Sequence, residues 1–509
     1  MIRAWEDARP RPSNGLLLAL LSAAAIAAVC ALVMVALGPL KATAAIVGLL
    51  GGVAMLLSPL FSLMTIVGML TALWPYQLAK VAGVAGVAST LIWLFAQRRP
   101  LFVRDRLFTL TLAFTGLALL SGLTAVSRDG EYLRGIGSFA SYVAMFWMML
   151  ALLNDERSTR WVVGVFVFSN VAHALIGLAQ YKLQFLWVVS QVRALVESGV
   201  SIDVLIHQGY RGVFRIDGLT GTPDLLAMNM LATLPFAAVA AWRAPSPTRR
   251  IAWLGAFLLM MVAMFMTYSR ATMVALAAMS LVVVIKVGLR RASPLLLAGA
   301  LALLIVLAAW PSMRARVVSI IPFGGDKVEA ETGQLEAAAW RWRSYSVGLE
   351  MMRDHALRPA GLDQQPKLWR IYAPELVWEG TEWTTPLHNT YMLAVVELGI
   401  WGGALYLVIL VATWRTLRAA RRLLLAAGRA EPAGYALAAE IALVAIFVAN
   451  QFYPLIEFRY VWFFVALAAV LHRLALDARA QSCSHTGDAR PLMSATAEGH
   501  HCSMPARAR

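Results

Sequence analysis

The sequence predicts an all-α polytopic membrane protein with about 12–14 transmembrane helices and a long outer loop between two late helices. Its 509 residues are 60% hydrophobic and only 14% charged, whereas about a quarter of the residues in a soluble domain are charged. The mean hydropathy is +0.69. Apolar stretches of roughly 18 residues or more recur along the chain, and each has the length of a membrane-spanning helix.

The first apolar run follows several arginines and extends from Gly15 to Leu37. It is longer than the apolar core of a signal peptide, which has about 7–15 residues, so we expect an uncleaved first span. Pro59 separates two short runs and marks either a hairpin turn or a kink within one span. The expected spans are about 15–37, 42–57, 59–74, 79–96, 107–126, 135–153, 161–181, 224–242, 251–268, 271–288, 294–310, 390–413, 436–453 and 457–475.

The basic residues predict the orientation of these spans. If the N-terminus is cytoplasmic, the arginine clusters fall in the loops after every second span, all on the cytoplasmic side. The net charge of +16 then reflects membrane topology, and we expect no nucleic-acid partner. Both termini are expected to be cytoplasmic. The opposite side receives two long segments, 182–223 and 311–389, and the short turn around Arg270.

Cysteine and histidine content indicates neither a disulfide framework nor a metal site. The chain has three cysteines, one inside the first span and two in the polar C-terminal tail, which is too few to indicate a disulfide scaffold. The tail also contains three histidines, but its low complexity is typical of a disordered segment. We therefore expect no metal and no cofactor.

Three parts of the chain bring candidate catalytic residues to the outer face. The glycine-rich stretch "HQGYRGVFRIDGLTGTPD" (207–224) carries Arg211 and Arg215, the short turn carries Arg270, and the long loop ends at His388. Arginine forks bind two oxygens of a diphosphate at once, and a neutral imidazole accepts a proton from an attacking hydroxyl. Together they suit displacement of a diphosphate leaving group from a membrane-embedded donor. Considered one at a time, snorkelling arginines and a structural histidine are the alternatives.

The long loop also contains five tryptophans among several arginines. Aromatic rings could cover the apolar faces of sugars, although tryptophan is also common at membrane interfaces. These residues are Trp340, Trp342, Trp369, Trp378 and Trp383.

Polar residues inside the spans have two interpretations. Asn170, His173 and Gln180 lie broadly on one face of span seven, and we expect hydrogen bonds within the bundle. Glu397 and Glu440 are either proton-relay groups of a transporter or structural partners of interior donors. A regular helix starting at His388 would place Glu397 on roughly the opposite face, so we leave it out of the site.

Four stretches of the sequence resemble successive motifs of the bacterial O-antigen ligase and Wzy-type polymerase superfamily. They are "FRIDGLTGTPDLLAMNMLATLP", "TYSRATMVALA", "RWRSYSVGLEMMRDHALRPAGL" and "LHNTYMLAVVELGIWGG", and the resemblance covers about residues 205–415. It implies a metal-independent membrane glycosyltransferase of the GT-C-like type in the bacterial inner membrane. Such an enzyme takes a glycan from undecaprenyl diphosphate at the periplasmic face. It joins that glycan to a hydroxyl of another glycan, of lipid A-core or of another acceptor.

The resemblance also implies roles for individual residues. Arg215 and Arg270 would hold the diphosphate, and His388 would activate the acceptor. As substrate-binding residues we expect Arg211, Arg341, Asn389 and Tyr391.

Two departures from the family pattern are visible. Asp224 stands where an Asn is common, and "MMRDHALRPAGLDQQ" lacks a Pro and one Gly of the usual turn. The part of the long loop that faces the acceptor could therefore differ from that of the family.

The expected organisation has four parts. They are N-terminal transmembrane helices (1–181), a ligase- or polymerase-like catalytic region (182–415), C-terminal transmembrane helices (416–475) and a disordered cytoplasmic tail (476–509). The sequence does not separate a ligase from a polymerase, and transfer to a protein hydroxyl ranks third. The alternative from another class is a transporter or flippase of lipid-linked oligosaccharide, which would predict paired half-repeats and charges near the middle of the membrane.

Overall fold

The computed structural model describes residues 39–70, 76–128, 130–183, 215–309, 334–374, 387–454, 456 and 459–487. All regular secondary structure in these ranges is helical, which confirms the predicted all-α fold. The expected first span at 15–37 lies outside the described residues, as do 184–214 of the first long segment and 311–333 and 375–386 of the second.

Fifteen helices make up the described part of the chain. They are α1 (Pro39–Leu57), α2 (Pro59–Met69), α3 (Tyr76–Ala96), α4 (Arg106–Ser121), α5 (Gly130–Leu152), α6 (Glu156–Leu183), α7 (Pro223–Arg243), α8 (Pro247–Met266), α9 (Arg270–Val287), α10 (Leu289–Ala309), α11 (Gln334–His355), α12 (Gln365–Tyr372), α13 (Thr390–Ala426), α14 (Ala430–Ala449) and α15 (Arg459–Gly487).

Ten of the described helices are long and apolar enough to cross a membrane, and three shorter apolar helices accompany them. The protein is therefore a multi-pass membrane protein, as predicted. The expected span 59–74 appears only as α2, an 11-residue helix. At a rise of 1.5 Å per residue, α2 extends about 16 Å, roughly half the thickness of a bilayer core.

Two helix boundaries answer questions that the apolar pattern left open. Ser58 has extended backbone angles and its side chain accepts a hydrogen bond from the amide of Phe61, so the chain starts a new helix at Pro59. The prediction that span thirteen continues to residue 453 was wrong, because α14 ends at Ala449. The next four residues turn away from the helix and are held by Thr390, which bonds the carbonyls of Asn450 and Tyr453.

Helix α7 lies at the centre of the described bundle and is buried along most of its length. It packs against α8 and α14, while α13 packs against α14, α15 and α4. Hydrogen bonds between helix ends gather these ends at two poles of the bundle. We call the pole with residues 215–222, 267–270, 387–390 and 450–454 the site end.

Polar contacts tie the helices together at the other pole, which we call the opposite end. Arg473 of α15 donates to the carbonyls of Leu150 and Leu153 at 2.5 and 2.7 Å. Arg429 pairs with Glu156 at 3.3 Å. Arginines that the orientation argument assigned to the cytoplasmic side therefore lie together at one end of the bundle.

Candidate functional site

Arg215 is held between two other parts of the site end. Its Nε donates to the carbonyl of Thr267 at 2.6 Å, and a terminal nitrogen of its guanidinium lies 3.0 Å from Oδ1 of Asp224. The side chain is 18% exposed, so it is largely buried yet still reaches the surface. The structure therefore joins the glycine-rich segment to the turn that precedes Arg270.

Buried polar residues of α6 hold the segment that positions Arg215. The amide of Gln180 donates to Asp217 at 2.8 Å and to the carbonyl of Gly218 at 2.7 Å, and its oxygen accepts from the amide of Gly218 at 2.8 Å. The ring of His173 accepts from the amide of Leu219 at 3.3 Å. The expectation that these residues bond within the bundle is confirmed, and their partner is the segment leading from Arg215 to α7.

Arg270 is the first residue of α9 and follows a tight turn. Thr267 ends α8, and Ser269 caps α9 by accepting a hydrogen bond from the amide of Thr272. Tyr268, between them, has a φ of 56°, a left-handed conformation that costs energy for any residue with a side chain. The turn fixes the position of the Arg270 backbone at the site end.

Tyr453 connects this turn to the start of α13. Its hydroxyl donates to Oδ1 of Asp224 at 3.1 Å and also hydrogen-bonds the hydroxyl of Ser269. Its carbonyl accepts from the hydroxyl of Thr390 at 2.5 Å. Burial, followed by the negative charge of Asp224, raises the pKa of Tyr453. The hydroxyl therefore stays protonated at neutral pH and remains a donor.

His388 lies two residues before α13 and is half-buried. The hydroxyl of Tyr345 donates to its carbonyl at 3.3 Å and also to the carbonyl of Gln451. His388 lies within electrostatic range of the Asp224 carboxyl group. The structure thus brings His388 close to the group formed by Arg215, Asp224 and Tyr453, although these residues come from separate stretches of the chain.

Two of the four expected substrate-binding residues have structural contacts. Oδ1 of Asn389 accepts from the amides of Tyr391 and Met392 at 2.9 and 3.0 Å and so caps α13. The hydroxyl of Tyr391 donates to the carbonyl of Phe447 at 2.9 Å. Arg211 and the side chain of Arg341 lie outside the described residues. The substrate contacts of all four residues stay predictions.

The tryptophans of the long loop differ in exposure. Trp369 on α12 is buried, with 1% of its surface exposed, whereas Trp342 on α11 is 77% exposed. Trp369 therefore fills the core and cannot cover a sugar, because no face of its ring reaches solvent. The side chain of Trp340 and all of Trp378 and Trp383 lie outside the described residues.

Glu397 and Glu440 both have structural partners. One carboxylate oxygen of Glu397 accepts from the amide of Gln365 at the start of α12, at 3.3 Å. Glu440 is fully buried and pairs with Lys286 at the opposite end. This arrangement fits the structural interpretation of these two carboxylates.

An apolar cavity of about 420 Å³ opens beside the site end, between α7, α8, α9, α10 and α14. Phe265 and Met273 line it within one turn of the Thr267–Arg270 turn, and Val287 and Arg291 line it near the opposite end. The cavity therefore runs along α9 from the Thr267–Arg270 turn towards the opposite end.

Sequence reasoning missed Tyr453 and left the role of Asp224 in doubt. Tyr453 was assigned to a membrane span because it follows a long apolar run, and only the fold brings it to Asp224. The signal available in the sequence was the Asn450–Pro454 stretch "NQFYP", whose Asn and Pro favour the end of a helix.

The fold and this cluster define a multi-pass helical membrane protein with arginine, histidine and tyrosine gathered at one end of its bundle. A family model described as O-antigen ligase matches residues 255–407, a range that includes Arg270, Tyr345 and His388. The match confirms the resemblance to the O-antigen ligase and Wzy-type superfamily and supports a function in membrane glycan transfer. The comparison with curated proteins found no match.

Proposed function

We propose that the protein transfers a glycan from undecaprenyl diphosphate to an acceptor hydroxyl at the periplasmic face of the bacterial inner membrane. The observation that carries the proposal is the convergence at Asp224. This residue bonds Arg215 and Tyr453 and lies within electrostatic range of His388. The Arg215 side chain in turn bonds the backbone just before Arg270. The family match over residues 255–407 supports the same class of reaction.

The proposed reaction is a direct displacement at the anomeric carbon of the donor sugar. His388 takes the proton of the acceptor hydroxyl, and the hydroxyl oxygen forms the new bond to carbon. The bond between that carbon and the diphosphate oxygen breaks, and its electron pair leaves with undecaprenyl diphosphate. Arg215 and Arg270 stabilise the negative charge that grows on the leaving group.

Asp224 and Tyr453 act in this proposal as positioning residues. Asp224 orients the guanidinium of Arg215 by one charge-assisted hydrogen bond, while the Thr267 carbonyl accepts a second bond from the same guanidinium. A guanidinium has five N–H donors, so these two contacts leave donors for a diphosphate. The proposed reaction needs no metal, because two guanidinium groups can supply the positive charge at the leaving group.

The apolar cavity beside α9 suits the polyprenyl chain of the donor. It begins next to the turn that carries Arg270 and runs along α9 towards Val287. A polyprenyl chain in this cavity would place its diphosphate near Arg215 and Arg270. Of the two long-loop tryptophans whose side chains are described, Trp342 is the one whose exposed ring could contact the glycan.

The first two candidate acceptors are lipid A-core, which would make the protein a ligase, and a growing polysaccharide, which would make it a polymerase. A protein hydroxyl ranks third. A transporter or flippase of lipid-linked oligosaccharide is the alternative from another class. The two classes differ in one measurable way, because only the transferase consumes the lipid-diphosphate donor without an ion gradient.

The test is a turnover assay on purified protein with undecaprenyl-diphosphate glycan from the native host, candidate acceptors and EDTA. We expect wild-type protein to release undecaprenyl diphosphate. His388→Ala should lose at least about 100-fold in rate, as expected for removal of a general base. Arg215→Ala and Arg270→Ala should each lose about 100-fold or more, as for other groups that stabilise transition-state charge.

Matched controls use residues away from the cluster. His472→Ala and Arg249→Ala remove the same side-chain types. His472 adjoins Arg473 at the opposite end, and Arg249 is exposed near the start of α8. Both should retain near wild-type rates. Full activity in folded His388→Ala would show that the proposed site is wrong. Absence of lipid-diphosphate release by wild type with every acceptor would favour the transporter.

A further inference from the structure

A second and larger cavity lies among helices that the proposed reaction does not use. Its volume is about 610 Å³, and it is lined by α2, α3, α5 and the first residue of α15. It shares no lining residue with the cavity beside α9. The two cavities can therefore be occupied at the same time.

The second cavity is polar at one end and apolar along its depth. Lys80 lies near the start of α3, Ser138 and Ser141 lie in the first half of α5, and Arg459 begins α15. Deeper in the cavity the lining is formed by residues such as Leu91 and Met148. From Lys80 to Leu91 the helix rises about 16 Å, roughly half the thickness of a bilayer core.

The polar end of this cavity belongs to the site end of the bundle. Arg459 follows Tyr453 by six residues. Tyr453 bonds Asp224 and Ser269 at the site end. Two cations that line the polar end of an otherwise apolar cavity complement an amphiphile with a negatively charged headgroup.

We propose that this cavity binds a phosphate-bearing membrane lipid, with its acyl chains between α2, α3 and α5 and its phosphate between Lys80 and Arg459. The occupant is a phospholipid-type amphiphile because the deep lining is apolar while the mouth carries two positive charges. The site would hold a second lipid beside the one whose diphosphate is bound at Arg215 and Arg270. Binding at this site does not depend on the transferase proposal.

Gly83 offers a direct way to block the cavity. It lines the cavity on α3, and a Cβ added there would meet no atom within 4 Å. The Cβ of a leucine at this position would therefore stand in open space at the cavity wall. Gly164 on α6 is the matched control, because it is also half-buried and helical with open space around its Cβ, and it lines neither cavity.

The experiment measures lipid retention by native mass spectrometry of the full-length protein released from detergent. The probes are dioleoyl phosphatidylglycerol and dioleoyl phosphatidylcholine, which share acyl chains but differ in net charge. Wild type should retain phosphatidylglycerol at least about 10-fold more than phosphatidylcholine. Gly83→Leu should lose this retention and Gly164→Leu should keep it. The double variant Lys80→Gln/Arg459→Gln should retain both lipids equally.

Two outcomes would overturn the proposal. One is equal retention of both lipids by wild type, which would indicate only the lipid layer that surrounds any membrane protein. The other is unchanged retention in Gly83→Leu. A photo-crosslinking amino acid at position 83 provides an independent readout. Capture of phospholipid supports the site, whereas capture of residues 15–37 would show that this segment of the chain fills the cavity.

Discussion

Asp224 is the residue on which the proposed site depends most directly. The same oxygen, Oδ1, accepts from Arg215 at 3.0 Å and from Tyr453 at 3.1 Å. Its backbone lies in the first turn of α7, whose N-cap is Thr222. A negative charge in the first turn of a helix is favourable because the helix dipole is positive there. The aspartate is therefore accommodated where the family commonly has an asparagine, since both side chains present an Oδ1 acceptor.

Replacing Asp224 separates its geometric role from its charge. Asp224→Asn keeps the acceptor oxygen, so we expect a rate within about 10-fold of wild type. Asp224→Ala leaves Arg215 and Tyr453 without that acceptor, and a lost charge-assisted hydrogen bond of about 1.5–3 kcal/mol corresponds to about 10- to 100-fold in rate. The measurement is release of undecaprenyl diphosphate by each folded variant. A loss in Asp224→Asn as large as in Asp224→Ala would show that the negative charge matters and that the acceptor geometry alone does not suffice.

At the scale of elements, α13 is two helical pieces joined at Gly399, which has φ 73° and ψ 178°. The break leaves backbone groups without helical partners, and residues 356–361 supply them. The amides of Ala360 and Gly361 donate to the carbonyls of Val396 and Glu397, and the amide of Ile400 donates to the carbonyl of Ala356, all at 2.8–3.1 Å. The long loop before α13 is thereby bonded directly into the helix that begins beside His388.

Gly399→Ala tests this element. Its φ and ψ fall in a region that is essentially restricted to glycine, and a Cβ would lie 3.1 Å from the carbonyl oxygen of Ala356. We expect a loss of about 1–3 kcal/mol in the free energy of unfolding. Gly164→Ala, in a regular helix with open space, should be neutral or stabilising by up to about 1 kcal/mol. Denaturant unfolding in detergent measures both, and equal stability of the two variants would contradict the constraint.

A buried ion cluster fastens three helices at the opposite end of the bundle. Glu440 of α14 is fully buried and pairs with Lys286 of α9, while Arg418 and Arg421 of α13 lie 3.8 and 3.9 Å from its carboxylate oxygens. A buried carboxylate requires such partners because its desolvation is costly. The cluster holds α9 and α13, the helices that carry Arg270 and follow His388, in a fixed relation.

Removing one partner of this cluster should be more harmful than removing two. Lys286→Met leaves Glu440 short of its nearest cation, and we expect a loss of about 3 kcal/mol in the free energy of unfolding. The double variant Lys286→Met/Glu440→Leu removes the buried charge as well and should recover part of that loss. Detergent unfolding curves of the two variants decide the matter. A single variant as stable as wild type would show that Arg418 and Arg421 suffice.

At the scale of the whole molecule, the two poles of the bundle differ in chemistry. The site end gathers Arg215, Arg270 and His388, and the opposite end gathers many of the arginines that the positive-inside rule places in the cytoplasm. The proposed periplasmic reaction requires that the site end face away from the cytoplasm.

Cysteine labelling measures this orientation. Leu357→Cys lies at the site end and replaces a side chain that is 83% exposed, while Thr248→Cys lies at the opposite end and is also exposed. In spheroplasts of a strain expressing each variant without its native cysteines, a membrane-impermeant maleimide should label position 357 only. Position 248 should react only after the cells are opened. The reverse pattern would contradict a periplasmic site.

Some features of the fold followed from the sequence because they depend on local properties. Apolar runs of sufficient length must be satisfied by helices inside a membrane, and charge asymmetry between loops predicts their sides. The same local rules failed at Tyr453, where an apolar run continued past the true helix end. They also could not anticipate the buried position of Trp369, because composition does not reveal which aromatic residues pack inward.

The local pattern of residues predicts the all-helical membrane fold and the residue types near one end of the bundle. Only the folded chain shows that Arg215 bonds the turn before Arg270 and that Asp224 and Tyr453 join this turn to α13. It also shows that Gln180 anchors the segment that carries Arg215. These contacts span sequence separations from 9 residues, between Arg215 and Asp224, to 229 residues, between Tyr453 and Asp224. Hydropathy and charge patterns act within a span or a loop, whereas such contacts depend on how helices pack and where their ends meet.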